Sequence, residues 1–252
     1  MTDDFVIEEL GRGAVERDHV NMVIYGRSGA GKTYEAATAP SPFIAAADPR
    51  GHDSIPKKLP GKLIRCLDDM AKTIEWFESG KHVEHGIRTL IVDGGNFLYD
   101  MFYNEIGQII VDQRRAPSVD RLAYGGGMEV LRPYKRMLER LVNLTTIEPA
   151  DYRVNVILTY LEDKSEPTER MPYSLNPLFG TKAMNQTFPA LFSVIGYIVP
   201  VGETKQDEKT GQLVVDQTRR MLFTEYNGIL ARDRLGIFPP SCNAPNLSEY
   251  LK

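Results

Sequence analysis

The chain has 252 residues, of which 42% are hydrophobic and 25% are charged, and its formal net charge is −4. This length fits one large α/β domain, and the composition is ordinary for a globular protein. No apolar run approaches the ~18 residues of a membrane span, and the acidic start is unlike a signal peptide. Only two distant cysteines occur, Cys66 and Cys242, which argues against a disulfide framework or a zinc site. We therefore expect a cytoplasmic protein that has no membrane partner.

The first 19 residues are acidic and polar, and we interpret 1–19 as an arm that precedes the fold. Residues 20–252 are predicted to form a single domain, in which a hairpin region and a tail occupy about 200–252. The net negative charge does not exclude nucleic-acid binding, because a ring or filament can concentrate positive charge on one inward face.

The apolar run Val20–Tyr25 is typical of a buried strand, and GRSGAGKT follows it directly. This is the complete pattern G-x-x-x-x-G-K-[ST], followed by helix-friendly residues up to Pro40. Between a strand and a helix, such a turn cradles phosphates with its backbone N–H groups and with the helix N-terminus. The lysine reaches the β- and γ-phosphates, and the threonine hydroxyl holds Mg²⁺. The predicted residues for binding the nucleoside triphosphate are Gly26, Arg27, Ser28, Gly29, Ala30, Gly31, Lys32, Thr33 and Tyr34.

Further strands are predicted at 42–47, at Thr89–Asp93 and at 154–159, and helices at 67–77, 96–114 and 128–144. This alternation predicts an α/β fold, with a mainly parallel sheet and helices on both faces. A strand at 192–201, and the stretches 212–217 and 219–224 after a turn at 207–211, predict antiparallel strands at the C-terminal edge.

Three of these strands end in polar residues, and the carboxyl ends of parallel strands meet at one edge of a sheet. Asp93 is predicted to hold the metal, although an aspartate in a turn has the same pattern. Many related ATPases have a glutamate next, where this chain has Gly94, so we expect Asp48 to activate water unless it only forms a turn. Thr159 is predicted to sense the γ-phosphate, or else only to cap its strand.

Arg232 and Arg234 occupy alternate positions in ILARDRLGIF. Residues two apart on a strand point to the same face, so both guanidinium groups are expected to reach one place. They would either stabilise charge on a γ-phosphate, often that of a neighbouring subunit, or lie at a solvated strand edge.

Together these features resemble the phage-encoded RecA-like ATPases, also described as phage nucleotide-binding proteins or single-strand-annealing recombination ATPases. The resemblance extends from about Asn21 to Leu251, and the run around Arg232 is similar to an A-K-D-R-x-G-like segment of that family. It implies a RecA-type P-loop NTPase core, whose fourth strand lies between the phosphate-loop strand and the strand of Asp93. It also implies ATP, Mg²⁺, a ring or filament of identical subunits, single-stranded DNA and a phage single-strand-binding protein as partners. Arg232 and Arg234 match the K-x-R pair that such ATPases insert into a neighbour's site.

The chain departs from this family at two positions. The family commonly has D-x-E after the second strand, where this chain has Asp48-Pro49-Arg50, and often has a histidine where this chain has Tyr160. We therefore expect slow or DNA-dependent hydrolysis.

The resemblance also implies two DNA-binding loops, which by position are 114–127 and the irregular segment 162–186. Basic groups with interspersed aromatics are typical of single-strand binders, although four acidic residues weaken the field of the second segment. A surface loop or a subunit contact would have the same composition. The predicted DNA-binding residues are Arg114, Arg115, Arg121, Tyr124, Lys164, Arg170 and Lys182.

Two other functions stay open on the sequence alone. One is a nucleotide-gated oligomeric scaffold or switch in a phage assembly or packaging complex. The other is a small-molecule kinase, which would need an arginine-rich lid and an acceptor pocket that the sequence does not display.

Overall fold

The computed structural model describes residues 19–55, 57–113, 118–119, 127–167, 173–206, 213–243 and 245–252. Most of the predicted arm therefore lies outside the described residues. Within the described ranges, no helix combines the length and the apolar character that crossing a bilayer requires.

Ten strands are described in these ranges. They are β1 (Asn21–Gly26), β2 (Pro42–Ala46), β3 (Gly61–Leu63), β4 (Thr89–Asp93), β5 (Asn155–Ser165), β6 (Ser174–Pro177), β7 (Val194–Gln206), β8 (Leu213–Leu222), β9 (Arg232–Asp233) and β10 (Ser241–Asn243). The α-helices of the same ranges are α1 (Lys32–Ala36), α2 (Leu67–Glu78), α3 (Gly95–Asp112), α4 (Gly127–Asn143) and α5 (Lys182–Thr187).

The strands form one mixed sheet in the order β10-β8-β7-β1-β5-β4-β2-β3, with β6 paired to β5 and β9 paired to β7. The six strands from β7 to β3 in this order are parallel. β8, β9 and β10 add antiparallel pairings at one side. The predicted position of the fourth strand is confirmed, since β5 pairs with both β1 and β4.

Both faces of the sheet are buried. Val23 and Tyr25 of β1 belong to a core cluster that α2, α3, α4 and α5 cover. Met22 and Ile24 point to the opposite face, which α1 and the C-terminal segment 235–251 cover. This arrangement explains why the parallel strands have continuous apolar sequences, because a strand covered on both faces has no polar side. The predicted α/β fold with its mainly parallel sheet is confirmed.

The prediction for segment 162–186 as an irregular connection is wrong. β5 continues through Glu162 to Ser165, and β6 pairs with it antiparallel, after which α5 begins at Lys182. The charged and proline-rich composition suggested a loop because this two-stranded ribbon extends beyond the buried sheet. Most of its residues are only partly buried, so they lack the apolar character of the central strands.

The C-terminal hairpin also differs in detail from the prediction. The stretches 212–217 and 219–224 were predicted as separate strands, but residues 213–222 form the one strand β8. Its partner is β7, and the pairing extends from Tyr197↔Leu222 to Gln206↔Leu213. The turn predicted at 207–211 lies outside the described residues.

Candidate nucleotide site

The glycine-rich turn connects β1 to α1, and its glycines have distinct structural reasons. Gly29 and Gly31 adopt left-handed backbone angles, with φ of 76° and 93°. Gly26 packs against β7 so closely that a Cβ would lie 2.4 Å from the carbonyl oxygen of Ile198. Gly29 and Gly31 thus permit the left-handed backbone of the turn, and Gly26 permits its close packing against β7. The turn has the geometry that the glycine pattern predicts. α1 has only five residues, so the backbone N–H groups contribute more than a helix dipole would.

Lys32 folds back over this turn. Its Nζ donates to the carbonyl oxygens of Gly26 at 3.1 Å and Arg27 at 2.7 Å. Burial lowers the pKa of Lys32, and the negative charges of Asp93, Glu162 and Asp48 oppose that shift. The ammonium group therefore lies at the cleft, and among the described residues it is hydrogen-bonded only to neutral carbonyls, which an anionic ligand can replace.

Asp93 joins the phosphate loop to the neighbouring strands. Its Oδ1 accepts hydrogen bonds from the hydroxyl groups of Thr33 and Thr159, each at 2.7 Å. Thr159 also accepts a hydrogen bond from the backbone N–H of Gly94 at 2.9 Å. The hydroxyl of Thr159 is thus used within the sheet, where it orients Asp93. The predicted contact of this residue with a γ-phosphate stays a prediction.

The second carboxylate oxygen of Asp93 is the feature that points to a cation. Oδ2 is buried and has no hydrogen-bond partner among the described residues. Burial raises the pKa of Asp93, and the hydrogen bonds from Thr159 and Thr33 oppose that effect. An unpaired buried carboxylate oxygen beside a threonine hydroxyl fits Mg²⁺, which needs only one or two protein ligands when phosphate oxygens complete its coordination. The described residues contain no group of three or more His, Cys, Asp or Glu side chains that could hold a metal ion.

Gly51 covers this oxygen from the other side of the cleft. It begins a 3-10 turn, Gly51–Ser54, and a Cβ on Gly51 would lie 2.0 Å from Oδ2 of Asp93. A side chain here would displace the carboxylate, so the glycine preserves the space beside it.

The backbone explains the glycine that follows Asp93. Gly94 has a φ of 85°, and a Cβ there would lie 2.7 Å from the backbone nitrogen of Asp48. A glutamate would therefore be strained and would clash with the end of β2. That close approach brings Asp48 beside Asp93 instead, where its Oδ1 accepts a hydrogen bond from the backbone N–H of Arg50 at 2.9 Å.

These groups line one cleft of about 480 Å³ at the carboxyl edge of the sheet. The predicted residues that line it are Ser28, Gly29, Gly31, Lys32, Thr33, Tyr34, Asp48, Asp93 and Thr159. Tyr160 also borders the cleft, but its hydroxyl lies 2.8 Å from that of Tyr134 in the core beneath α3. Tyr160 therefore supports the wall and does not replace a catalytic histidine.

Arg232 and Arg234 do reach one place, as their spacing predicts, but that place lies outside the cleft. The guanidinium of Arg232 donates to the backbone carbonyls of Pro189 and Phe192, the latter at 3.0 Å. Arg234 makes a longer contact of 3.4 Å with the carbonyl of Ala190. Asp233 between them accepts backbone N–H groups of the following turn and not either arginine. Both arginines thus bind the turn that precedes β7 in their own chain.

The predicted DNA-binding residues are only partly described. Lys164 is exposed on β5, where its Nζ lies 2.5 Å from Glu166 and 5.9 Å from the ring centroid of Tyr173. Lys182 is exposed at the start of α5. The others lie outside the described residues: Arg114, Arg115, Arg121, Tyr124 and Arg170.

Sequence reasoning missed three residues of the site. Arg219 on β8 lines the cleft, and Glu35 on α1 lies 2.9 Å from its Nε. Glu162, which looked like part of an acidic loop, accepts from Arg27 of the phosphate loop at 3.2 Å. No spacing in the sequence indicates these contacts, because each depends on strand pairing between distant segments.

No curated protein sequence matches the chain. The family model described as "AAA domain" matches residues 18–235, a range that contains β1 to β9, the phosphate loop and every residue of the cleft. A P-loop between a strand and a helix, an aspartate bonded to its threonine, and this match together show that the chain belongs to the AAA domain family of P-loop ATPases.

Proposed function

We propose that the protein is a Mg²⁺-dependent, slowly hydrolysing ATPase of the phage RecA-like type, which acts on single-stranded DNA in recombination or annealing. The observation that supports ATP turnover best is the arrangement around Asp93. One of its oxygens is bonded to the phosphate-loop threonine, and the other is buried without a partner and next to Asp48.

Each residue of the cleft has a role that follows from its contacts. Lys32 exchanges the carbonyls of its own loop for phosphate oxygens, because a charged acceptor binds an ammonium more strongly. Thr33 and Asp93 would hold Mg²⁺, which would neutralise charge on the phosphates. Thr159 keeps Asp93 oriented, and Asp48 accepts the proton of the attacking water.

Slow turnover follows from the position of the proton acceptor. Asp48 is shorter than the glutamate usual in related ATPases, and the backbone N–H of Arg50 already binds its Oδ1. Both features limit its reach toward a bound water, so water activation is expected to need a rearrangement such as DNA binding or subunit contact would cause.

The DNA-binding part of the proposal is supported by the family resemblance and by one described contact. Lys164 and Tyr173 place a cation beside an aromatic ring on the ribbon of β5 and β6. Such a pair can bind a phosphate and stack on a base. The ribbon extends from the strand that carries Thr159, so a ligand on it acts on a segment connected directly to the site.

Assembly is proposed because Arg232 and Arg234 do not line the cleft of their own chain. A contact of either arginine with a γ-phosphate would therefore come from a second subunit. Arg234 is the better donor, since it is exposed and its guanidinium makes a single long hydrogen bond to the described residues.

A nucleotide-gated scaffold is the second candidate function. Gly94 in place of a glutamate favours it, because the residues proposed to bind nucleotide and metal are present while the usual base is missing. A scaffold would assemble with ATP and would be indifferent to DNA.

The test is ATP turnover by the purified protein at varied Mg²⁺, with and without single-stranded DNA at two salt concentrations. Lys32→Ala is the blank, and Lys135→Ala is the matched control, because Lys135 is exposed on α4 and pairs with Glu139. Turnover that rises with the DNA and falls with salt supports the full proposal. Turnover that ignores DNA favours the scaffold, and equal activity of Lys32→Ala would overturn the phosphate-binding assignment.

The trans role of arginine has its own test. Arg234→Ala subunits are mixed with Lys32→Ala subunits, each inactive alone if both groups are needed. Recovered turnover in the mixture supports delivery from a neighbour, whereas a mixture as inactive as its components contradicts it.

A further inference from the structure

Arg219 lies at the nucleotide cleft, although it comes from the antiparallel extension of the sheet. It is in the middle of β8, opposite Pro200 of β7. Its side chain passes over the phosphate loop, so that a Cβ on Gly31 would lie 2.4 Å from Cδ and 2.8 Å from Nη1. The second left-handed glycine of the loop therefore makes room for this arginine.

Two neighbours on α1 hold the guanidinium group in place. Its central carbon lies 3.9 Å from the centroid of the Tyr34 ring, a stacked cation–π arrangement. Its Nε lies 2.9 Å from Oε1 of Glu35, whose side chain is only 2% exposed. This contact is an ion pair and not a directed hydrogen bond, since Oε1 has no aligned donor among the described residues.

The two terminal nitrogens of Arg219 have no hydrogen-bond partner among the described residues. Its side chain is 32% exposed and lines the cleft, so these N–H groups face the space where a ligand would lie. A guanidinium that is fixed at Nε and stacked on one face presents its remaining fork as a rigid donor, which suits a phosphate.

The strand order indicates which phosphate of a nucleotide Arg219 would bind. β4 and β2, which carry Asp93 and Asp48, lie on one side of β1, and β8 lies on the other. Asp93 and Asp48 define the end of the cleft for Mg²⁺ and the γ-phosphate. Arg219 is therefore at the opposite end, where the loop holds the α- and β-phosphates.

We propose that Arg219 binds the α-phosphate of a nucleoside di- or triphosphate in the cleft of its own subunit, and that Glu35 and Tyr34 position it. The inference rests on the proposed nucleotide binding. It assigns Arg219 to nucleotide affinity and retention, separate from hydrolysis, because the α-phosphate does not change charge during γ-phosphate transfer. The loss of the contact should therefore weaken ATP and ADP equally.

The experiment measures binding of ATP, ADP and inorganic tripolyphosphate to Arg219→Ala. We expect about tenfold weaker binding of all three, as for the loss of one charge-assisted hydrogen-bonded pair. Arg219→Lys should be intermediate, because it keeps the charge and loses the fork. Arg220→Ala is the matched control, since this neighbour is exposed and its Nε donates to Asn243 at 3.0 Å.

Because Arg219→Ala leaves Glu35 buried and unpaired, the double variant Arg219→Ala with Glu35→Gln is measured beside it, with thermal unfolding as the check on folding. Weakened binding that persists in the folded double variant supports the proposal. Unchanged ADP binding overturns it, and so does a loss for the nucleotides alone, which would indicate contact with the base. Failure of the wild-type protein to bind any of the three ligands would instead count against the proposed function.

Discussion

The two walls of the nucleotide cleft are built differently. On one wall, Asp93 ends β4, Asp48 follows β2 and Thr159 lies within β5 beside Asp93. Asp93 and Thr159 are each 2% exposed. On the other wall, Arg219 lies in the middle of an antiparallel strand and is considerably more exposed. On the first wall, hydrogen bonds join Asp93 to Thr159 and to Thr33 of the phosphate loop. The second wall is a single side chain held by stacking and an ion pair.

This difference shows how each wall depends on topology. All parallel strands of such a sheet present their carboxyl ends at one edge. A polar residue at such an end therefore reaches the site whatever the details of the strand pairing. A residue inside an antiparallel strand reaches the site only through its register. A register shift of one residue would turn the side chain of Arg219 to the opposite face of the sheet.

The largest expected effect is that of Asp93→Asn. The amide oxygen can still accept from Thr33 and Thr159, so folding should be retained while the charge for Mg²⁺ is lost. We expect turnover to fall at least about a hundredfold. ATP turnover across a Mg²⁺ titration, with thermal unfolding as control, measures this, and normal turnover would show that the metal lies elsewhere.

Asp48→Asn should have a smaller and more specific effect. We expect kcat to fall about a hundredfold while ATP affinity is kept, because only proton transfer is lost. Steady-state kinetics and a separate binding measurement distinguish the two. Asp68→Asn is the control on an exposed surface, where Asp68 pairs with Lys72. Equal loss of ATP binding and turnover in Asp48→Asn would argue against its role as a base.

Gly51→Ala tests the space beside Asp93. A Cβ 2.0 Å from Oδ2 must displace the carboxylate, and we expect about tenfold lower turnover from that shift. Gly86→Ala is the control, because Gly86 has a φ of 62° with open space around it, so its cost is backbone strain alone. If both variants lose stability but keep turnover, then turnover does not require the Asp93 carboxylate to keep its position.

The smallest effects separate the two arginines of β9. Arg232→Ala should lower the free energy of unfolding by about 1–2 kcal/mol, because its guanidinium binds buried backbone carbonyls. Arg234→Ala should change it by less than about 0.5 kcal/mol, since it is exposed. Chemical denaturation of both variants measures this difference. Equal destabilisation would mean that both arginines are structural, and it would weaken the case for delivery to a neighbour.

Much of the wall that contains Asp93, Thr159 and Asp48 could be predicted from the sequence. The glycine-lysine-threonine pattern located the loop, and an apolar run that ends in Asp93 located the residue bonded to Thr33. The hydrogen bond of Thr159 with Asp93 could not be predicted, because a hydroxyl at this position could equally face a phosphate, and only the structure shows the 2.7 Å approach. Segment 162–186 was misread since a partly exposed ribbon lacks the apolar alternation that identifies buried strands.

The sequence by itself determined the phosphate loop, the alternation of the main parallel strands with helices and the apolar strand that ends in Asp93, because these depend on local backbone preferences and apolar periodicity. Only the tertiary structure decided that a glutamate at position 94 would clash with Asp48, that Arg219 contacts Glu35 and Tyr34, and that Arg232 binds carbonyls of its own chain. Each of these contacts joins segments far apart in sequence. Their approach depends on strand register and close packing, which no local pattern encodes.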